Sequence, residues 1–284
     1  MRILIAGLGD LGAEVARLAA GEGHEVFGLR RSAAPAPGGV ALLQGDVTEP
    51  STLDLPPALD LVVYCVAADA RDEGAYRRAY PEGLSHVLGA LTRESPEARV
   101  LFVSSTGVYG DAAGAWVDED TAPAPEGFTG RAMLEAEAVL EGSAFRGTSL
   151  RLGGIYGPGR TFLLDAIRSG RPFPAETMGH WTNRIHRDDA ARTILHVAAT
   201  PSAPPVLNVV DPAPARRAGV LEWLATQLGR ALVTAAAAPT RSPGADRRVS
   251  SRRLASTGFE FHFPSFKDGY RALLGEPPPG REGS

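Results

Sequence analysis

Arg2-Ile3-Leu4-Ile5-Ala6-Gly7-Leu8-Gly9-Asp10-Leu11-Gly12 is the stretch that decides the fold. Arg2–Ala6 reads as a strand, and it runs straight into a glycine-rich turn. From Leu11 to Ala20 the apolar residues take helical spacing, with Val15, Leu18 and Ala19 on one side. Each glycine of such a turn has its own task. The first permits a tight bend, the second leaves the backbone open to an approaching diphosphate, and the third lets helix pack on strand. N–H groups at the helix start, aided by the helix dipole, then favour negative charge. Gly7, Gly9, Asp10, Leu11 and Gly12 are therefore candidate dinucleotide-binding residues.

Outward from this stretch, short β-rich runs alternate with amphipathic ones, the pattern of a parallel sheet covered by helices on both faces. Strands are expected at Glu25–Leu29, Val40–Leu43, Leu61–Val66, Val100–Ser104 and Ser149–Leu152. Helices are expected at Tyr76–Leu91, Thr129–Leu140, Phe162–Arg168 and Asp188–Ala198, the last with Asp188 as a plausible N-cap. The fold class is α/β, a doubly wound Rossmann-type parallel sheet with a smaller C-terminal substrate lobe. Residues 1–154 with about 187–210 would form the dinucleotide-binding domain, and 155–186 with about 211–284 the lobe. The Pro/Gly-rich C-terminal tail reads as frayed.

The second strand ends in Leu29-Arg30-Arg31-Ser32, where an NAD site usually places an acid for the ribose 2′-hydroxyl. Arg30 and Arg31 offer forked donors for a 2′-phosphate instead, so NADP is preferred and NAD remains the alternative. Asp46 and Val47 follow the third strand. The Asp46 carboxylate could accept from an adenine amino group, or simply shape a turn or cap a helix near Pro50. Ala67 and Ala68 are small enough to let a cofactor approach the backbone.

The formal charge of −4 over 284 residues provides no basic field, so nucleic-acid partners are not expected. Cys65 is the only cysteine, which rules out an intramolecular disulfide and a cysteine metal cluster and suggests a reducing, cytoplasmic setting. No apolar run is long enough for a membrane span, and no histidine–carboxylate cluster has metal-ligand spacing.

With these elements placed, the sequence resembles the extended short-chain dehydrogenase/reductase superfamily, of the NAD-dependent epimerase/dehydratase type. The matching stretches are Gly7–Gly12, Gly45–Val47, Ser104–Gly110, Asp118–Asp120, Arg151–Gly159 and Arg184–Asp189, in family order over most of the first 190 residues. The C-terminal third matches only loosely. The resemblance implies a cofactor at the C-terminal edge of the sheet and a small-molecule substrate, commonly a nucleotide sugar, between the lobes. It also implies a homodimer packed through the helices near Tyr76–Leu91 and Thr129–Leu140.

One departure is large. The family's active-site helix begins Tyr-x-x-x-Lys, whereas this chain reads Phe128-Thr129-Gly130-Arg131-Ala132-Met133 there, and its single lysine is Lys267. The resemblance places Thr129 at the tyrosine position and Met133 at the lysine position. A phenol with an ordinary pKa of about 10 becomes useful near neutrality when an adjacent ammonium favours its anion. Threonine and methionine supply neither part, and Arg131 stays protonated. Ser105 keeps the position of the hydroxyl that hydrogen-bonds the reacting substrate oxygen. Thr106-Gly107 replace the Asp-Glu of the dehydratases, so sugar dehydration is not expected.

Ser105, Thr106, Tyr109 and Thr129 are the candidate catalytic residues. Tyr109 is the best replacement donor by family position, although a ring packed beneath the active-site loop is the competing reading. Tyr156, Asp111, His180 and His186 are further proton-transfer candidates, with His186 more suited to ordering the turn into the next helix. Asp118-Glu119-Asp120 read as a solvated acidic face. The functional expectation is an NADP(H)-binding, epimerase/dehydratase-like oxidoreductase with a non-standard site, acting on a small polar or nucleotide-sugar-like substrate. The alternative is a catalytically silent NADP-binding sensor or scaffold.

Overall fold

Seven parallel strands form the central sheet of the computed structural model, which describes residues 1–236 and 245–275. They are β1 (Arg2–Ala6), β2 (Glu25–Arg30), β3 (Val40–Gln44), β4 (Leu61–Tyr64), β5 (Arg99–Ser105), β6 (Gly147–Leu152) and β7 (Val206–Val209). The order across the sheet is β7-β6-β5-β4-β1-β2-β3. Chain progression therefore reverses between β1 and β4, and a crevice opens at their C-terminal ends. The central strands carry aliphatic residues on both faces because helices cover both: β4 is buried throughout.

On one face, α1 (Asp10–Gly21) turns Leu11, Val15, Ala16 and Ala19 inward and packs against α5 (Arg187–Ala199). The other face holds α2 (Gly83–Glu94) and α3 (Phe128–Glu141). The helix expected over Tyr76–Leu91 starts earlier, at Glu73–Arg77, and passes through a π-turn at Arg78–Glu82 before α2. Pro81 causes this, since it has no N–H to return to the preceding turn. Gly83 N–H reaches back to the Arg78 carbonyl, and the Tyr64 hydroxyl donates to the Ala79 carbonyl at 2.6 Å.

A separate apolar cluster gathers Tyr156, Leu164 and Ile167 with Val220, Leu221, Leu224, Phe266 and Tyr270. It is built from α4 (Phe162–Arg168), α6 (Arg217–Gln227) and α7 (Phe266–Leu274). Leu254 and Phe259 instead pack in the sheet core, and Arg248–Val249 pairs with Trp116–Val117. The segment 248–261 thus rides on the sheet body, unlike the expected division at about 211. The C-terminal tail expected to fray lies outside the described residues. Among the described residues, no helix is long and apolar enough to cross a membrane.

Candidate active site

Gly7 bends the chain out of β1 at φ +102°, a region that favours glycine, and any Cβ there would meet the Cys65 backbone at 2.8 Å. Gly12 lies beneath the bend: a Cβ would stand 2.0 Å from the Gly7 carbonyl oxygen. Gly9 differs from both. Its backbone is extended (φ −78°), and a Cβ would meet nothing within 4 Å. Gly9 therefore faces open space at the N-terminus of α1, where a diphosphate could approach unpartnered N–H groups. Gly7, Leu8 and Gly9 line a cavity of about 520 Å³ that runs over the ends of β1 to β4.

Not every residue expected to bind a cofactor reaches that cavity. The Leu11 side chain is buried behind the turn, so both it and Gly12 serve helix–strand packing. The Asp10 carboxylate pairs with Arg160 and, at 3.4 Å, with Arg187. These pairs tie the loop after Gly157 to the start of α1. The sequence did not reveal them, because Asp10 and Arg160 lie 150 residues apart.

Arg30, Arg31, Asp46, Val47, Ala67 and Ala68 all line the same cavity. Arg30 donates to the Ser32 hydroxyl at 2.9 and 3.0 Å. Arg31 is held through both Nη atoms by Asp69, a cavity residue the sequence reading missed. The Asp69 carboxylate keeps Arg31 firmly protonated, and Arg31 in turn pulls Asp69 below the usual carboxylate range. Both groups are more than half exposed, so their pairing is cheap to exchange for another anion. Asp46 Oδ1 accepts from the N–H and hydroxyl of Thr48, both at 2.9 Å, which is the turn-shaping role.

At the end of β5, Ser105 Oγ accepts from Gly107 N–H at 3.0 Å. Thr106 is buried and lines a second cavity of about 410 Å³ between the sheet edge and the smaller lobe, together with Tyr156, Asn183, Arg184 and Arg247. Tyr109 does not face it. Its buried hydroxyl donates to Asn208 Oδ1 at 3.0 Å and accepts from Arg151 at 2.9 Å, so of the two readings of Tyr109 the packed ring holds and the replacement donor does not. Burial also raises its pKa. Thr129 lies in the first turn of α3, half-buried, with Met133 buried one turn later.

Other expected donors are committed elsewhere. Tyr156 stacks on Tyr270 with ring centres 4.6 Å apart, and burial pushes its phenol far up. His186 caps α5: its Nδ1 accepts from Asp188 N–H at 3.3 Å, so histidine and not Asp188 is the N-cap. Burial lowers the His186 pKa and favours the neutral ring. Asp111 Oδ1 accepts from Ala113 N–H within an exposed turn, and neither Asp111 nor His180 lines the cavity beside Thr106. The acidic stretch is not wholly solvated, because the Glu119 side chain is buried and accepts from Asn208 N–H at 2.7 Å. Cys65 is a protonated thiol, pushed up to about 12 by burial.

Asp211, unnoticed in the sequence, has its carboxyl raised to about 7 by burial near Arg184. The folded chain then keeps a proton that the unfolded chain releases near 4. Stability should be highest below the unfolded pKa and fall as pH rises towards 7. Asp211→Asn retains an acceptor for Ala213 N–H (3.0 Å in the parent) without ionising. We expect melting curves to show the variant gaining on the parent between about pH 4 and pH 7, by a few kcal/mol at most. A difference that does not change with pH would contradict the assignment.

Comparison with known proteins places these features in context. The profile of the NAD-dependent epimerase/dehydratase family matches residues 3–209. Protein YeeZ of Escherichia coli K12 is 30% identical over 219 residues, covering 74% of this chain and 75% of that protein. A Streptomyces 3-diazoavenalumate denitrifying reductase is 28% identical and covers 95% of this chain and 99% of that protein. A solved structure from Methylobacillus flagellatus, assigned as an NAD-dependent epimerase/dehydratase, is 41% identical with a TM-score of 0.81, covering 96% of this chain and 97% of that one.

Proposed function

The chain belongs to the NAD-dependent epimerase/dehydratase family, and from that premise we propose that it is an NADP(H)-binding oxidoreductase with a non-standard proton-transfer site. Its substrate is a small polar or nucleotide-sugar-like molecule. The observation that carries the reading is the glycine turn: Gly7 and Gly12 are closed to any side chain, while Gly9 lines the large cavity with nothing within 4 Å of its Cβ position. Those residues fit a dinucleotide, with its diphosphate at the start of α1 and its adenosine end towards Arg30 and Arg31. The nicotinamide supplies or accepts a hydride when bound.

Catalysis by this chain rests on position and polarity, since Tyr-x-x-x-Lys is absent from the sequence. Ser105 keeps a hydroxyl proton to give while its oxygen accepts from Gly107 N–H. Thr106 stands at the cavity edge, and Thr129 at the first turn of α3 takes the position where the family places its tyrosine. Such hydroxyls can polarise a carbonyl; none matches a phenol–ammonium pair as a proton source. Orientation of two bound reactants can still supply much of the rate. The open cavity beside Thr106 favours turnover over the silent sensor or scaffold, for which a filled cavity would be the better design. A homodimer and a cytoplasmic setting belong to the same reading.

Cofactor choice provides the test. Arg30 forms no ion pair among the described residues, and Arg31 can exchange Asp69 for a phosphate. NADPH should bind at least about tenfold more tightly than NADH, the value of a charge-assisted contact. In calorimetry, Arg30→Ala with Arg31→Ala should erase that preference, and Asp69→Asn should enlarge it. Equal affinities in the parent chain would remove the NADP assignment.

A further inference from the structure

The cavity beside Thr106 is lined by two guanidinium groups, Arg184 and Arg247, that form no ion pair among the described residues. Arg184 donates only to the Thr182 hydroxyl, and Arg247 to the Thr106 carbonyl at 2.7 Å and the Gly110 carbonyl at 3.3 Å. Carboxylates of Asp111 and Glu126 act on Arg247, and that of Asp211 on Arg184, without a direct ion pair to either. Arg247 is 8% exposed, and its Nε has no hydrogen-bond partner. Burying an unpaired charge is costly, so proteins rarely leave one without a partner. Arg160 in the same cavity is already paired with Asp10, and Arg253 in a neighbouring cavity with Glu119 and Asp120.

They are also held together. Asn183, next to Arg184, donates to the Arg247 carbonyl at 3.0 Å and accepts from Val249 N–H at 2.7 Å, which fixes the two arginine-bearing segments side by side. Asp211 offsets Arg184 only in part, since its carboxyl is half-protonated near neutrality. Tyr156, Phe162, Trp181 and Tyr270 contribute aromatic surface to the wall, beside Ile155 and Leu163. Phe162 is 58% exposed at the mouth, an apolar surface that a ligand would cover.

We infer that this cavity recognises a small carboxylate carried on a flat aromatic body, with Arg184 and Arg247 holding the carboxylate and Phe162 and Trp181 contacting the ring. This names the substrate class of the oxidoreductase reading and rests on it. An uncharged analogue leaves two desolvated guanidiniums unmatched, so discrimination comes from the charge. The body contributes through apolar contact and stacking.

Calorimetry on the full chain, with and without saturating NADPH, tests the inference with three probes: naphthoate, its alcohol naphthylmethanol, and UDP-glucose. Naphthoate should bind at least about tenfold more tightly than the alcohol. Arg184→Met and Arg247→Met should each remove that preference, and Phe162→Ser should weaken acid and alcohol alike. Equal binding of acid and alcohol overturns the inference, as does UDP-glucose binding more tightly than naphthoate. The acid–alcohol comparison uses the unaltered chain, so it decides the matter even if an arginine variant does not fold. If naphthoate binds and NADPH does not, the dinucleotide reading fails and the anion site stands. If NADPH binds and naphthoate does not, only the anion site fails.

Discussion

Replacing Glu137 with alanine is expected to remove about 3–5 kcal/mol of folding stability, the cost of stranding a buried charge. Glu137 and Arg151 are 7% and 5% exposed at their side chains, and their closest approach is 2.6 Å. Ser104 donates to the same carboxylate at 2.6 Å, and Arg151 passes a further bond to Tyr109, which reaches Asn208. One carboxylate on α3 thereby fastens β5 and β6, and through Tyr109 it reaches β7. Removing it leaves a buried guanidinium that keeps only the Tyr109 hydroxyl as a side-chain partner. Glu137→Gln should cost less, because the amide oxygen still accepts. Urea denaturation measures both. A loss below about 1 kcal/mol for the alanine variant would mean that the network contributes little to stability.

Gly9→Val should have the opposite profile, with stability retained and dinucleotide affinity lost by about two orders of magnitude or more. The residue's extended backbone suits any side chain, and its Cβ direction is empty to 4 Å. Removing a glycine also reduces the freedom of the unfolded chain, a gain of up to about 1 kcal/mol. The new isopropyl group would nonetheless stand where the diphosphate must approach the helix N-terminus. A thermal melt paired with an NADPH titration reads both effects. Full affinity in a folded variant would place the phosphates elsewhere.

Local patterns in the chain were informative about local structure. β1, α1 and the glycine turn stand almost where spacing puts them, because a strand feeding a helix through glycines has few alternative geometries. Arg30, Arg31, Asp46 and Val47 share one cavity for the same reason: each follows a strand whose end the sheet brings to the crevice.

What stayed hidden depends on distance along the chain. Asp69 meets Arg31 across 38 residues, and Arg151 meets Tyr109 across 42. Tyr109 resembled a donor at the pocket by family position, and the tertiary structure shows the phenol turned inward to Asn208. Arg184, within the stretch Arg184–Asp189, and Arg247 lie far apart in the sequence. That both line one cavity depends on Asn183 tying strand to loop, which periodicity does not encode. The π-turn at Arg78–Glu82 had a visible signal in Pro81, and a break in the helix could have been drawn from it.

Calorimetric titration of the full chain with NADPH tests the central claim most directly. Binding to a single site, lost in Gly9→Val and weaker for NADH, is the predicted result. No binding of either nucleotide to folded protein would contradict it.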